Sequence, residues 1–152
     1  MQKLRTYVDT SVFGVVYDEE FSSASQLFFE QAKKGTFLII ISEITLEELG
    51  AAPQKVRQVF EDLPPDIVLE VAIDKEVFQI AQRYIDNQIL ARKWIDDAIH
   101  VAAATISHAD LILSWNFKHI VNYDKIRKFN SVNIFFGYPQ LDIRSPLEVI
   151  YE

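Results

Sequence analysis

The chain has 152 residues, enough for one domain with a core of its own and too few for two comfortable ones. Hydrophobic residues make up 49% and 11 residues are Phe, which excludes a disordered chain. With no cysteine, disulfides, thiolate metal sites and cysteine nucleophiles are excluded, and a net charge of −7 argues against broad nucleic-acid binding through a basic surface.

A nuclease whose metal ions neutralise part of its substrate's charge stays compatible with that acidity, as does docking of a basic partner. Met1-Gln2-Lys3-Leu4-Arg5 lacks the apolar stretch of a signal peptide. The densest apolar runs, residues 37–41 and 98–106, fall short of a membrane span. The expectation is a soluble, cytoplasmic protein with no membrane association.

In chain order, residues 4–9 read as a buried strand, and Thr10-Ser11-Val12-Phe13 as a helix start. Ser22-Ser23 can cap a helix in which Ala24, Leu27, Phe28 and Ala32 recur at helical spacing, closed by Lys33-Lys34-Gly35. Residues 36–41 form a continuous apolar run, the signature of a strand covered on both faces. Ser42 opens a helix that ends at Gly50, and Pro53 suits the first turn of another with Val56, Val59, Phe60 and Leu63 inward.

Residues 67–71 read as a short strand, and Asp74 can cap a helix with Val77, Ile80, Ala81, Tyr84 and Ile85 on one face. Residues 87–94 form a connector before an apolar helix through Asp97, Ala98, Val101, Ala102 and Thr105. The segment 109–114 is strand-like. Asn116 then caps a helix predicted to run to about Phe129, with basic residues in its last turns. A final strand is expected over 132–136, then a turn at Gly137-Tyr138-Pro139 and a short helix from Ser145-Pro146. This alternation implies an α/β domain: a mostly parallel central sheet covered on both sides. One domain spans 1–152, with a short C-terminal extension from about residue 137.

Asp9 ends the first strand, where open α/β sheets place their ligands. Glu48 lies on the helix after the second strand, Asp97 opens a later helix, and Asn116 follows the strand after that helix. A parallel sheet can bring all four to one edge. Oxygen ligands of this kind suit Mg²⁺ or Mn²⁺, and clustered carboxylates repel unless a cation neutralises them.

Tyr7-Val8-Asp9-Thr10-Ser11, Thr45-Leu46-Glu47-Glu48-Leu49, Asp97-Ala98-Ile99-His100-Val101 and Leu113-Ser114-Trp115-Asn116-Phe117 resemble, in order, the motifs of PIN domains. The similarity is closest to VapC-like toxins of toxin–antitoxin pairs and to related stand-alone PIN proteins, and it covers roughly residues 4–136. It implies a PIN-like three-layer α/β/α sandwich and a Mg²⁺- or Mn²⁺-dependent endoribonuclease. It further implies an RNA substrate, a possible antitoxin partner and a homodimer, for which the apolar helices at 22–34 and 53–63 offer surfaces. On the family pattern Asp9, Glu48 and Asp97 are the catalytic acidic triad and metal ligands. Asn116 stands where the family often has a fourth acid. Its amide can coordinate through oxygen or orient water but adds no charge. Thr10 and Ser11, at a helix start, can bind Asp9 or a phosphate, and Lys118 and His119 can steer a phosphate backbone.

Plainer readings compete. Asp9 could be a simple helix cap. Glu47 competes with Glu48, and Asp96 with Asp97; members of each pair differ by about 100° around a helix. His100, on an Ala/Val face, reads as a structural residue, Asp110 as a turn residue at the opposite sheet edge, and Trp115 as packing. Phosphoryl transfer of the haloacid-dehalogenase type wants a second Asp two residues after the first, where Ser11 stands. A catalytically weak or inactive PIN-like module that binds RNA or protein is the remaining alternative, raised by Asn116.

Overall fold

A computed structural model of the protein describes residues 3–14 and 19–151; Met1 and Gln2 of the N-terminal segment lie outside them. Among the described residues, five strands form one sheet in the order β3-β2-β1-β4-β5. They are β1 (Leu4–Val8), β2 (Phe37–Ser42), β3 (Val68–Val71), β4 (Leu111–Leu113) and β5 (Asp142–Arg144). Every pairing is parallel, with Thr6 opposite Ile39 on one side and Leu111 on the other. Such a sheet must be covered on both faces, and the strand sequences are built for it.

Tyr7, Ile40, Ile112 and Ile143 point to one face, under α5 (Lys75–Asp86), α6 (Ile95–Ile106) and α7 (Tyr123–Phe135). Val8, Ile39, Ile41, Leu111 and Leu113 point to the other. That second core is closed by α1 (Thr10–Gly14), α2 (Ser22–Lys33) and α4 (Gln54–Glu61). The result is the expected three-layer α/β/α sandwich. Ala24, Phe28 and Ala32 of α2, and Val56, Val59 and Phe60 of α4, all pack into this core. The two helices suggested as dimer surfaces therefore turn their apolar faces onto the chain itself.

Helix boundaries follow local chemistry. Asp74 caps α5 by accepting the Val77 N–H at 3.0 Å. Gly35, with φ of 102°, ends α2, and the Thr36 N–H returns to the Gln31 carbonyl at 3.1 Å. Ser22 starts its helix rather than capping it, since Phe21 holds the N-cap position. The helix α3 (Glu43–Gly50) starts directly from β2 at Ser42, whose N–H donates to Thr45 Oγ1 at 3.2 Å.

Two expectations near the C-terminus are overturned. The helix predicted from Asn116 to Phe129 starts later, at Tyr123, capped by Asn122, and continues to Phe135. Residues 132–136, read as a strand, are its last turns. Phe129, Val132 and Asn133 are the buried positions, spaced three and four apart, which is a helical period. Gly137, with φ of 86°, then stops it, and the Tyr138 N–H reaches back to the Asn133 carbonyl at 2.8 Å. The basic residues accordingly sit in the first half of α7, not its last turn; Lys128 pairs with Asp124 at 2.8 Å. The fifth strand is the three-residue β5, which pairs with β4 from within the C-terminal segment after residue 137.

Candidate active site

The chain order reverses at β1: β2 and β3 lie on one side of it, β4 and β5 on the other. In parallel sheets a crevice opens at such a switch point, beyond the carboxyl ends of the strands. Asp9 follows β1 there, and Ser114 follows β4 beside it. The Asp9 N–H bonds to the Leu113 carbonyl at 3.0 Å, which ties the two strand ends together.

An open pocket of about 380 Å³ sits at this edge, lined in part by Asp9, Thr10, Ser11, Glu48, Asp97 and Asn116. Four chain segments distant in sequence thus meet around one space. Glu48 and Asp97 face it, whereas Glu47 and Asp96 are exposed and absent from its lining. Asp110 lies at the other end of the sheet, where its Oδ2 accepts the Arg5 N–H at 2.8 Å.

Asp9 is only 5% exposed and tightly held. Its Oδ2 accepts from Ser11 Oγ and Ser114 Oγ, each at 2.7 Å. Ser11 Oγ in turn accepts the Trp115 N–H and Ser114 Oγ the Asn116 N–H, both at 2.9 Å. The serines therefore lock the carboxylate to the loop after β4. Its Oδ1 stands 3.5 Å from His100 Nε2.

His100, 1% exposed, reaches the site from α6. Its Nε2 is 2.5 Å from Glu48 Oε1, which also accepts from Thr10 Oγ1 at 2.9 Å. On the other ring edge Nδ1 lies 2.8 Å from the Tyr7 hydroxyl, itself 2.7 Å from Ser42 Oγ. Burial opposes a charge on this imidazole, but Tyr7, Glu48 and Asp9 outweigh it and hold the pKa well above the ordinary histidine range. Burial likewise opposes charge on Glu48, yet the bond to His100 and its charge keep the carboxyl below its usual value.

Asp97 behaves in the opposite way. Burial raises its pKa, the bond from His119 only partly offsets this, and the charge on Asp9 adds to the rise. Its Oδ2 bonds to His119 Nδ1 at 2.8 Å. Asn116 is engaged as a turn-former, its Oδ1 accepting the His119 N–H at 2.9 Å. The local structure is a turn rather than the first turn of a long helix.

No family model matches the chain, and no curated protein matches it in sequence. Solved structures do. One is a chain of a toxin–antitoxin complex from Klebsiella pneumoniae, at a TM-score of 0.55 and 16% identity, covering 75% of this chain and 88% of that one. Another belongs to VapBC2 from Rickettsia felis bound to a DNA fragment from their promoter, at a TM-score of 0.57 and 13% identity, covering 92% of this chain and 97% of that one. The chain has a VapC-like PIN fold. At these identities the likeness is one of fold, and the chemistry has to be argued from the residues.

Within this PIN fold the donor set suits a hard divalent cation, which takes oxygen ligands and, for Mg²⁺, often only one or two carboxylates plus water and phosphate. The charge on Asp9 adds to the rise at Asp97, and the charges on His119 and His100 offset it only in part, a repulsion that a bound cation relieves. Glu48 already has His100. Among the described residues no three acidic or histidine side chains stand close enough to form a ready-made cage. The residues thus fit one ion carried by Asp9 and Asp97 and completed by water and substrate, with Glu48 and Asn116 at its margin.

A second open pocket, of about 450 Å³, adjoins the first, sharing Glu48, Asp97 and Asn116 and adding Lys93, Trp94, Lys118 and His119. Lys118 and His119 therefore do lie beside the acidic residues. Lys93 and Trp94 were hidden in what the sequence presents as a connector, and only a tryptophan two residues before an acidic pair hinted at them.

Proposed function

We propose that this protein is a Mg²⁺- or Mn²⁺-dependent endoribonuclease that hydrolyses RNA phosphodiesters, acting in the cytoplasm as the toxin of a type II toxin–antitoxin pair. The observation that carries the reading is the meeting of Asp9, Glu48, Asp97 and Asn116 around one pocket at the switch point of the sheet. The two structural neighbours described above come from toxin–antitoxin complexes, which supports an antitoxin partner; a homodimer is the assembly such a toxin is expected to form.

When bound, the divalent ion supplies charge neutralisation at the scissile phosphate and a more acidic water. Asp9 and Asp97 hold it, each with one oxygen already fixed by protein donors. Glu48 Oε1 is occupied by His100 and Thr10, so Oε2 is the atom left to orient the attacking water. Because His100 keeps Glu48 ionised, this carboxylate works as an acceptor that positions water and takes its proton. Thr10 and Ser11 fix the carboxylates of Glu48 and Asp9 and line the pocket that the substrate enters.

The decisive assay is Mn²⁺-dependent cleavage of a mixture of structured and single-stranded RNA. Cleavage by the natural chain and none by Asp9→Asn is expected. Growth arrest on expression, relieved by Asp97→Asn, tests the toxin role. No Asp9-dependent cleavage, together with no Mn²⁺ binding by calorimetry, would sink the nuclease. Asn116 and the lack of a preformed three-ligand cage among the described residues favour the second reading, a catalytically weak or inactive module, which predicts RNA or partner binding without cleavage.

A further inference from the structure

Trp94 closes a short 3₁₀ turn (Arg92–Trp94) and holds the N-cap position of α6, its N–H bonded to the Ala91 carbonyl at 2.9 Å. Its backbone is thereby fixed two residues ahead of Asp96 and three ahead of Asp97. The residue is 37% exposed, so part of its ring is open to a ligand. The His119 ring packs against it at a centroid distance of 4.4 Å. Lys93 Nζ lies over the ring at 5.1 Å and Lys118 Nζ at 6.0 Å.

An exposed indole ringed by cations is odd in a chain of net charge −7. Tryptophan packing alone does not require it, because neither lysine is needed to cover a core residue. Nucleotides require both features: the base stacks on an aromatic face, and the phosphate is met by flexible ammonium groups. Both lysines are exposed and on long stems, so they can leave the ring to meet a phosphate while a base takes their place. Among the described residues, neither pocket has another Phe, Tyr or Trp in its lining. Glu48, Asp96 and Asp97 also line the second pocket and repel phosphate, which keeps the backbone on the lysine side.

We propose that this second pocket binds an unpaired nucleotide of the RNA. Its base stacks on Trp94 and its phosphate is held by Lys93 and Lys118, next to the phosphodiester addressed by Asp9 and Asp97. The inference rests on the endoribonuclease reading and sharpens its substrate to single-stranded RNA, because a paired base has its faces covered by its neighbours in the stack. Sharing of Glu48, Asp97 and Asn116 by the two pockets places the stacked base immediately beside the scissile bond.

The test uses the full chain carrying Asp9→Asn, so that RNA is not cut, in Mg²⁺ buffer. Fluorescence anisotropy measures binding of a labelled single-stranded oligoribonucleotide and of a fully paired, blunt-ended RNA duplex. Trp94→Leu in that background is expected to weaken single-strand binding about 5- to 150-fold, the range of one lost base stack, and Trp94→Phe much less. Lys93→Ala and Lys118→Ala are each expected to lower the slope of log affinity against log salt by about 0.7. Since Trp94 is exposed, these variants keep the core, and the Trp94→Phe chain guards against a folding artefact. Equal affinity of the Trp94→Leu and Trp94 chains, or equal binding of duplex and single strand, overturns the subsite while leaving the nuclease intact. No binding of either RNA overturns both.

Discussion

The buried imidazole of His100 stands 2.5 Å from Glu48 Oε1 and 3.5 Å from Asp9 Oδ1, so one ring holds two carboxylates that arrive from different elements. Its other nitrogen is anchored through Tyr7 to Ser42, tying β1, β2 and α6 into one polar link beneath the pocket. His100 is thus a positioning residue of the site, fixed by the core it is buried in.

Replacing it should therefore cost stability first. His100→Ala leaves the Tyr7 hydroxyl and two carboxylates short of a partner. We expect about 3 kcal/mol of destabilisation, at the low end for a broken buried pair because Glu48 is partly solvated. Urea unfolding in EDTA measures it. Added Mn²⁺ should recover more stability in the variant than in the natural chain, since a cation then has more negative charge to neutralise. An unchanged midpoint in EDTA would show the link to be idle.

Asn116→Asp puts a further carboxyl into a pocket where Asp9 already pushes Asp97 upward. Without metal the repulsion should cost roughly 1 kcal/mol, or about 3 °C of Tm for a domain of this size. With Mn²⁺ the sign should reverse, with tighter binding by calorimetry and faster RNA cleavage. A variant that binds Mn²⁺ no better than the natural chain would remove Asn116 from the site.

Ser114 is fully buried, donates to Asp9 Oδ2 and accepts the Asn116 N–H. Ser114→Ala strands that N–H and loosens the carboxylate. About 1–3 kcal/mol of stability should go. Cleavage should fall roughly 10-fold in kcat with little change in KM, as expected when a catalytic group is misplaced while the grip on the substrate is kept. A fall in efficiency that comes entirely from a higher KM would contradict the positioning role.

How much of this was legible in the sequence depended on how strongly local chemistry fixed each element. The continuous apolar run of β2 marks a strand buried on two faces, Asp9 could be placed at the end of β1, and the set of Asp9, Glu48, Asp97 and Asn116 was legible through the resemblance of four motifs in order. Residues 132–136 misled because Val-Asn-Ile-Phe-Phe has β-forming side chains. Their helical state is decided by long-range demands: Asn133 must reach Tyr84 and Thr105. The true β5, Asp142–Arg144, is too short and polar to show a period and exists because β4 offers it an edge. His100 looked like packing for a similar reason. Its Ala/Val neighbours report burial correctly, whereas its partners Tyr7 and Glu48 lie 93 and 52 residues away.

The Tyr84–Asn133–Thr105 cluster gives a test well away from the chemistry. The Tyr84 hydroxyl donates to Asn133 Oδ1 at 2.5 Å, and Asn133 Nδ2 donates to Thr105 Oγ1 at 3.0 Å, joining α5, α7 and α6 inside the core. Tyr84→Phe leaves Asn133 Oδ1 without its donor, which should cost about 1–3 kcal/mol at neutral pH, with RNA cleavage unchanged because Tyr84 lines neither pocket. Burial also raises the phenol's pKa well beyond the usual tyrosine value of about 10. In the unfolded chain the phenol ionises above about pH 10, while in the fold it keeps its proton. Its contribution is therefore fully present below that pH and is lost as pH climbs toward the folded value. The stability gap between the natural chain and Tyr84→Phe should accordingly narrow by up to about 1.4 kcal/mol for each pH unit above 10. Urea midpoints from pH 7 to 11 measure it, and a gap that stays constant across that range would mean that the hydroxyl is open to solvent.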